Sequence, residues 1–183
     1  MKIKLLSAAV ALGLGLGLSA HAVTNPMVGG AAMHDTKNIV QNAVNSKDHT
    51  TLVAAVKAAG LVQTLEGPGP FTVFAPTNAA FAALPAGTVD NLLKPENKAT
   101  LTKVLTYHVV PGKYDAMALE QAAKAAPGGK IMLKTVEGEP LTLWWSGGMW
   151  TVTDKKGGTA KITIANVQQS NGVIMVIDKV LMP

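Results

Sequence analysis

The sequence predicts an α+β protein on three observations. Helical apolar spacing fills the first half of the chain, strand-like runs fill the second, and one early strand interrupts the helices. That order differs from the alternating βαβ pattern of a parallel sheet, and no period of 20–50 residues marks a repeat array. The chain has 183 residues, 48% hydrophobic and 15% charged, which suits one folded domain and excludes a disordered one. Aromatics are only 4%, so the core is expected from Ala, Val, Leu and Ile.

The first element is a leader. Lys2 and Lys4 precede an apolar run from Leu5 to Leu18, and Ala20-His21-Ala22 offers a small-residue cleavage site. The run is too short to cross about 30 Å of hydrocarbon, and its glycines weaken a permanent helix. A signal peptide is expected over residues 1–22, with cleavage after Ala22 and secretion to the periplasm or beyond. No later stretch looks able to anchor the product in a membrane. Residues 23–34 read as a flexible lead-in, and residues 35–183 as the domain.

Within the domain, Asp35 is expected to cap a helix carrying Ile39, Val40, Ala43 and Val44 on one face. Asp48 is expected to cap a second, with Leu52, Val53, Val56 and Ala59 inward and Gly60 as its stop. Gly67-Pro68-Gly69-Pro70 forms a turn into a strand from Phe71 to Ala75, which Pro76 ends. Thr77 or Asn78 caps a short helix bearing Phe81 and Leu84, closed by Pro85. A further helix from about Asn97 carries Leu101, Val104 and Leu105 into Tyr107-His108-Val109-Val110 and a Pro111-Gly112 turn.

After Gly128-Gly129 the pattern becomes strand-like over 130–136, 141–145, 150–153, 161–167 and 173–181. One hairpin is predicted in register. Gly147-Gly148 suits a two-residue primed turn, which pairs Ser146 with Met149, Trp145 with Trp150 and Leu143 with Val152. Thr142, Trp144, Thr151 and Thr153 fall on the opposite face, where Trp144 is a large aromatic among threonines. Trp144 is either an exposed contact or a ring covered by a helix or the lead-in.

Charge and motifs exclude several functions. All sixteen basic residues are lysines against eleven acidic ones, and loss of Lys2 and Lys4 with the leader lowers the net charge from +5 to +3. The lysines are scattered, with the Lys155–Lys156 doublet and no basic run, so nucleic acid is not an expected partner. The absence of cysteine excludes disulfides and thiolate chemistry. No G-x-S-x-G elbow, H-E-x-x-H or phosphate loop occurs, and the histidines lack ligand-like spacing. Glu137 and Glu139 flank Gly138 in a turn, where both are expected to be solvated. No cofactor or metal is expected.

Three stretches together resemble the fasciclin domain: TVFAPTNAAF from Thr72 to Phe81, the Tyr107-His108 pair, and NGVIMVIDKVLMP from Asn171 to Pro183. The resemblance implies a fasciclin-like β-sandwich or wedge with helices packed along one edge, found in extracellular adhesion and matrix proteins, with no general catalytic function. Two departures stand out. Met175 occupies a position where the family commonly has histidine, and it is expected to fill core space. Asn166-Val167 replaces an Asp-Ile pair linked in some animal members to integrin recognition, so a carboxylate has become a neutral amide. His108 is expected to be a buried ring bonded to backbone.

The signature residues are otherwise expected to define structure. Phe71, Val73 and Ala75 share one face of their strand, and Thr72 and Phe74 the other. The apolar run from Val173 to Ile177 predicts a strand covered on both faces, entered by a tight Asn171-Gly172 turn. Asp178 is expected to bond to nearby backbone. The expected function is a secreted, non-enzymatic interaction module that binds a protein or polysaccharide at the cell surface or in the matrix. Trp144, Tyr107, His108, Asn166 and Val167 are its candidate contacts. Two alternatives are a periplasmic small-molecule carrier or enzyme with a pocket near His108, and a self-associating structural surface protein.

Overall fold

The computed structural model describes residues 25–183. The expected leader lies outside the described residues. Residues 27–32, read from sequence as part of a flexible lead-in, form a short hairpin of β1 (Met27–Val28) and β2 (Ala31–Ala32). Val28 and Met33 are buried against the helices that follow.

Helix α1 (Ile39–Ala43) is capped by Asn38, not Asp35: the Asn38 side chain accepts from the Gln41 N–H, and the Gln41 side chain returns a bond to the Asn38 N–H. Asp35 is three residues too early and exposed. Likewise Asp48 sits inside a short turn, Lys47–His49, ahead of α2 (Thr50–Ala59). The Thr51 N–H in the first turn of α2 is instead satisfied by Asn78 Oδ1 at 3.0 Å, while Asn78 Nδ2 donates to the Lys47 carbonyl at 2.8 Å. Gly60 ends α2 in the left-handed region, φ 73°. Next come α3 (Val62–Glu66), β3 (Phe71–Pro76) and α4 (Asn78–Ala82), which Thr77 caps. Then follow α5 (Thr88–Leu92), α6 (Lys98–Tyr107) and β4 (Val109–Pro111). Sequence reasoning assigned no element between Gly112 and Gly128, where Asp115 caps α7 (Ala116–Ala125).

The remaining strands are β5 (Ile131–Lys134), β6 (Pro140–Ser146), β7 (Met149–Thr153), β8 (Thr159–Gln169) and β9 (Gly172–Ile177). With β3 and β4 they form one sheet in the order β4-β3-β9-β8-β7-β6-β5. Strand β8 carries two register shifts against β9, flanking Ile164, and through them it joins both layers. The ends of the sheet nearly meet, since the Val136 N–H donates to the Val109 carbonyl at 2.8 Å. The result is a wedge, almost a closed barrel, with a mostly N-terminal set of helices on one side.

Strands β3 and β9 pair in parallel and separate two cores. Val73, Ala75, Ile174 and Val176 face the helices. Phe74, Val173, Met175 and Ile177 face the barrel interior. Every residue of β9 is buried, as its unbroken apolar run requires. Asn171 anchors the entry to it. Its Oδ1 accepts from the Ile39 N–H (3.1 Å), and its Nδ2 donates to the carbonyls of Leu65 (2.7 Å) and Gly67 (2.9 Å). Its own carbonyl accepts from the Phe71 N–H (3.0 Å). Asp178, at the other end, accepts from the Lys161 N–H at 2.7 Å. Asn171→Ala removes three side-chain bonds and strands buried backbone groups, so it should cost about 3 kcal/mol. A urea titration followed by far-UV circular dichroism measures this loss, and an unchanged midpoint would refute the anchoring role.

Candidate functional site

Alternation placed Trp145, Trp150, Leu143 and Val152 on one face of the β6–β7 hairpin, and the register is the one predicted. The neighbouring strands pair with only part of the hairpin. Strand β5 pairs only as far as Leu143, and β8 only as far as Thr151. Residues 144–150 therefore project past both neighbours. Leu143 and Val152 stay inside the barrel, while Trp145, on the same face but beyond the rim, is 58% exposed. Its ring meets buried Trp150 edge to face, with centroids 5.6 Å apart and planes at 80°.

Helix α7 runs opposite this projection. Between them lies an open groove of about 840 Å³. Trp145, Met149 and the Trp150 edge form one wall, Ala116, Met117, Glu120 and Lys124 the other, with Ile162, Thr163 and Ala165 between. Met117 is 68% exposed and Met149 39%. The charges on the α7 wall are a surface pair, Glu120 and Lys124, at 2.6 Å. The Lys124 hydrogen bond and charge hold the Glu120 carboxyl below its ordinary pKa. The groove thus offers aromatic and thioether surface at its lips and one neutralised ion pair.

The residues singled out from sequence have other duties. Trp144 is half-buried: its Nε1 donates to Thr153 Oγ1 at 3.2 Å, and Lys130 Nζ lies 5.9 Å from its ring centroid. The widely exposed ring is its neighbour Trp145, which sequence reasoning placed on the apolar face with Leu143, Trp150 and Val152. Tyr107 is fully buried; its hydroxyl donates to the Pro140 carbonyl (3.1 Å) and accepts from the Lys155 N–H (2.9 Å). Burial raises its pKa, against the lowering effect of the Lys155 N–H. His108 is buried as expected. Its Nδ1 donates to the Val104 carbonyl at 2.7 Å, and its Nε2 accepts from the Leu181 N–H at 2.9 Å. Both ring nitrogens are satisfied, and burial pushes its pKa down to about 4.

Val167 is fully buried in the helical-side core. Asn166 sits at the β8 bulge with φ 59°, in the left-handed region that asparagine tolerates. Its Oδ1 accepts from the Ala116 N–H at 2.6 Å, which fastens the start of α7. Of the five candidates, Trp144 borders the groove and Asn166 positions one of its walls. Among the described residues no group of three or more His, Asp or Glu side chains could hold a metal. Nor is any helix among them long and apolar enough to cross a membrane.

Comparison with known proteins agrees with this architecture. A family model described as the Fasciclin domain matches residues 47–183. The chain is 49% identical over 159 residues to Protein sll1483 of Synechocystis sp., covering 86% of this chain and 79% of that protein. It is 32% identical over 169 residues to the cell surface glycolipoprotein MPB83 of Mycobacterium bovis, covering 89% of this chain and 69% of that one. Its fold is similar to a FAS1 domain pair from the insect cell adhesion molecule fasciclin I, with a TM-score of 0.70 and 15% identity. That likeness covers 80% of this chain and about half (51%) of that one.

The His108 geometry predicts a pH dependence. The folded pKa of about 4 lies below the ordinary 6.5, so the unfolded chain takes up the proton first as pH falls. The contribution is complete above pH 6.5 and is lost progressively down to pH 4, on the order of 3 kcal/mol. Urea midpoints taken from pH 7 to pH 4 should fall more steeply for the natural protein than for His108→Gln. Parallel slopes would contradict the assignment.

Proposed function

The chain belongs to the fasciclin domain family, and from that premise we propose that it is a secreted, non-enzymatic adhesion module. It holds a protein or polysaccharide partner in the groove between α7 and the β6–β7 hairpin. The observation that carries this reading is the exposure of Trp145, 58%, at the lip of an 840 Å³ groove flanked by Met117 and Met149. The contact with Trp150 uses only one side of the Trp145 ring, and the surface left in water adds nothing to stability, whereas aromatic and methionine side chains are enriched where partners dock.

Related proteins support the location and the class. One is named a cell surface glycolipoprotein, and a structural neighbour is named a cell adhesion molecule. The leader features of residues 1–22 accord with export. The buried titratable residues near the sheet also favour a non-catalytic role, since Tyr107 and His108 spend their polar atoms on backbone.

Trp145→Ala tests this directly. Retention of the protein on cell-envelope extracts or on a glycan array should fall at least about tenfold, with the melting temperature little changed. Trp144→Ala should act differently, lowering stability by about 1 kcal/mol through lost packing and the Thr153 bond, with a smaller effect on retention. Undiminished retention by the Trp145 variant would move the contact surface elsewhere.

A further inference from the structure

On the side of the hairpin away from Trp145, strands β5, β6, β7 and β8 turn an outer face to solvent. Cross-strand register lays two rows across it. Met132, Thr142, Thr153 and Thr159 stand opposite one another in the first. In the second, Trp144, Thr151 and Lys161 are in register. Lys130 joins that row just before β5, with its Nζ 5.9 Å from the Trp144 ring centroid. Lys134 lies further along β5, opposite Pro140. Thr151, between Trp144 and Lys161, is buried at 4%, so the half-buried indole forms part of a floor. Met132 is 69% exposed, and Lys130, Lys134, Thr159 and Lys161 are exposed as well.

The three lysines are scattered in sequence, and the strand order gathers them. Among the described residues none of them has an ion-pair partner. The acids next along these strands are engaged. Asp154 accepts from the N–H groups of Lys156, Gly158 and Met182, and Glu139 pairs with Lys155. Asp178 accepts from the Lys161 N–H, with Lys179 beside it in the chain. Neither row contains an acid, so the face is positive. Strand rise and spacing put the Lys130 backbone about 13 Å from that of Lys134 and about 14 Å from that of Lys161. Ammonium groups so widely set do not crowd around one small anion. They match a polymer whose negative charges recur along its length. Arginine forks and stacked bases mark a nucleic-acid reader, and the chain has no arginine. Hydroxyls fill the space between the lysines instead. The Thr153 hydroxyl accepts from Trp144 Nε1, which leaves its own proton to donate. Threonine hydroxyls pair with those of a sugar, and the Met132 and Trp144 surfaces suit the apolar face of its ring.

We infer that the outer face of β5–β8 binds an acidic polysaccharide, with Lys130, Lys134 and Lys161 as its cationic contacts. The site is separate from the aromatic groove and stands or falls independently of it. The test is an NMR titration of the isotopically labelled protein with polygalacturonate and dextran sulfate oligosaccharides, against neutral dextran and poly-glutamate. Saturable amide shifts are expected at Met132, Thr142, Thr153 and Lys161 with at least one acidic polysaccharide, and the one that binds names the acid as carboxylate or sulfate. Neutral dextran and poly-glutamate should bind at least about tenfold more weakly. The Lys134→Glu, Lys161→Glu double variant should lose at least about tenfold in affinity. The Lys37→Glu, Lys94→Glu variant, with the same charge change on exposed lysines of the helical half, should lose less than about twofold. Trp145→Ala should leave affinity unchanged. Absence of saturable shifts on this face in the natural protein would overturn the inference. So would equal losses in the two double variants, which mark a net-charge effect, or poly-glutamate binding as tight as the polysaccharides. A loss in Trp145→Ala would assign the polymer to the groove and overturn this site.

Discussion

The parallel pairing of β3 with β9 is the constraint from which the rest of the molecule follows. Both strands must be apolar on both faces, because helices cover one side and the barrel interior the other. Thr72 is the polar exception in that layer, and it is fully satisfied: its hydroxyl donates to the Gly112 carbonyl and accepts from the Tyr114 N–H. Gly172 has to be glycine because a Cβ there would collide with the Phe71 carbonyl. Asn171 then fastens the same corner to α1 and to the end of α3. The signature stretches are thus the residues that allow two sequence-distant strands to lie side by side.

The groove is a by-product of ladders that stop short of the hairpin tip on that scaffold. The hairpin outruns both β5 and β8, so the alternation that buries Leu143 leaves Trp145 in water. Its facing wall depends on Asn166, whose left-handed backbone and side-chain bond to Ala116 set the start of α7. An amide at this position is therefore a structural solution to a β-bulge, and its neighbour Val167 is core.

Much of the fold was legible because local chemistry decided it. Gly147-Gly148 fixed the hairpin phase, and the unbroken run from Val173 to Ile177 announced a doubly covered strand. Errors arose where two capping residues competed: Asp35 and Asn38 are both good caps, and only Asn38 has Gln41 three residues on to complete the box. That signal was present and unused. Helix α7 was missed because its buried stripe is little more than Leu119 with alanines, although Asp115 stood in the capping position. The site was less legible than the fold. Trp145 could be placed on a face but not beyond a rim, since that depends on where two other strands stop.

The hairpin tip has a further consequence for how such a domain can diversify. Residues 144–150 lie past the last rungs that β5 and β8 share with the hairpin. The turn between them can lengthen, shorten or change composition without altering the ladder that supports it. Loop transplantation at Gly147-Gly148 would accordingly give new surfaces on an unchanged frame, much as exchangeable bits fit a single drill.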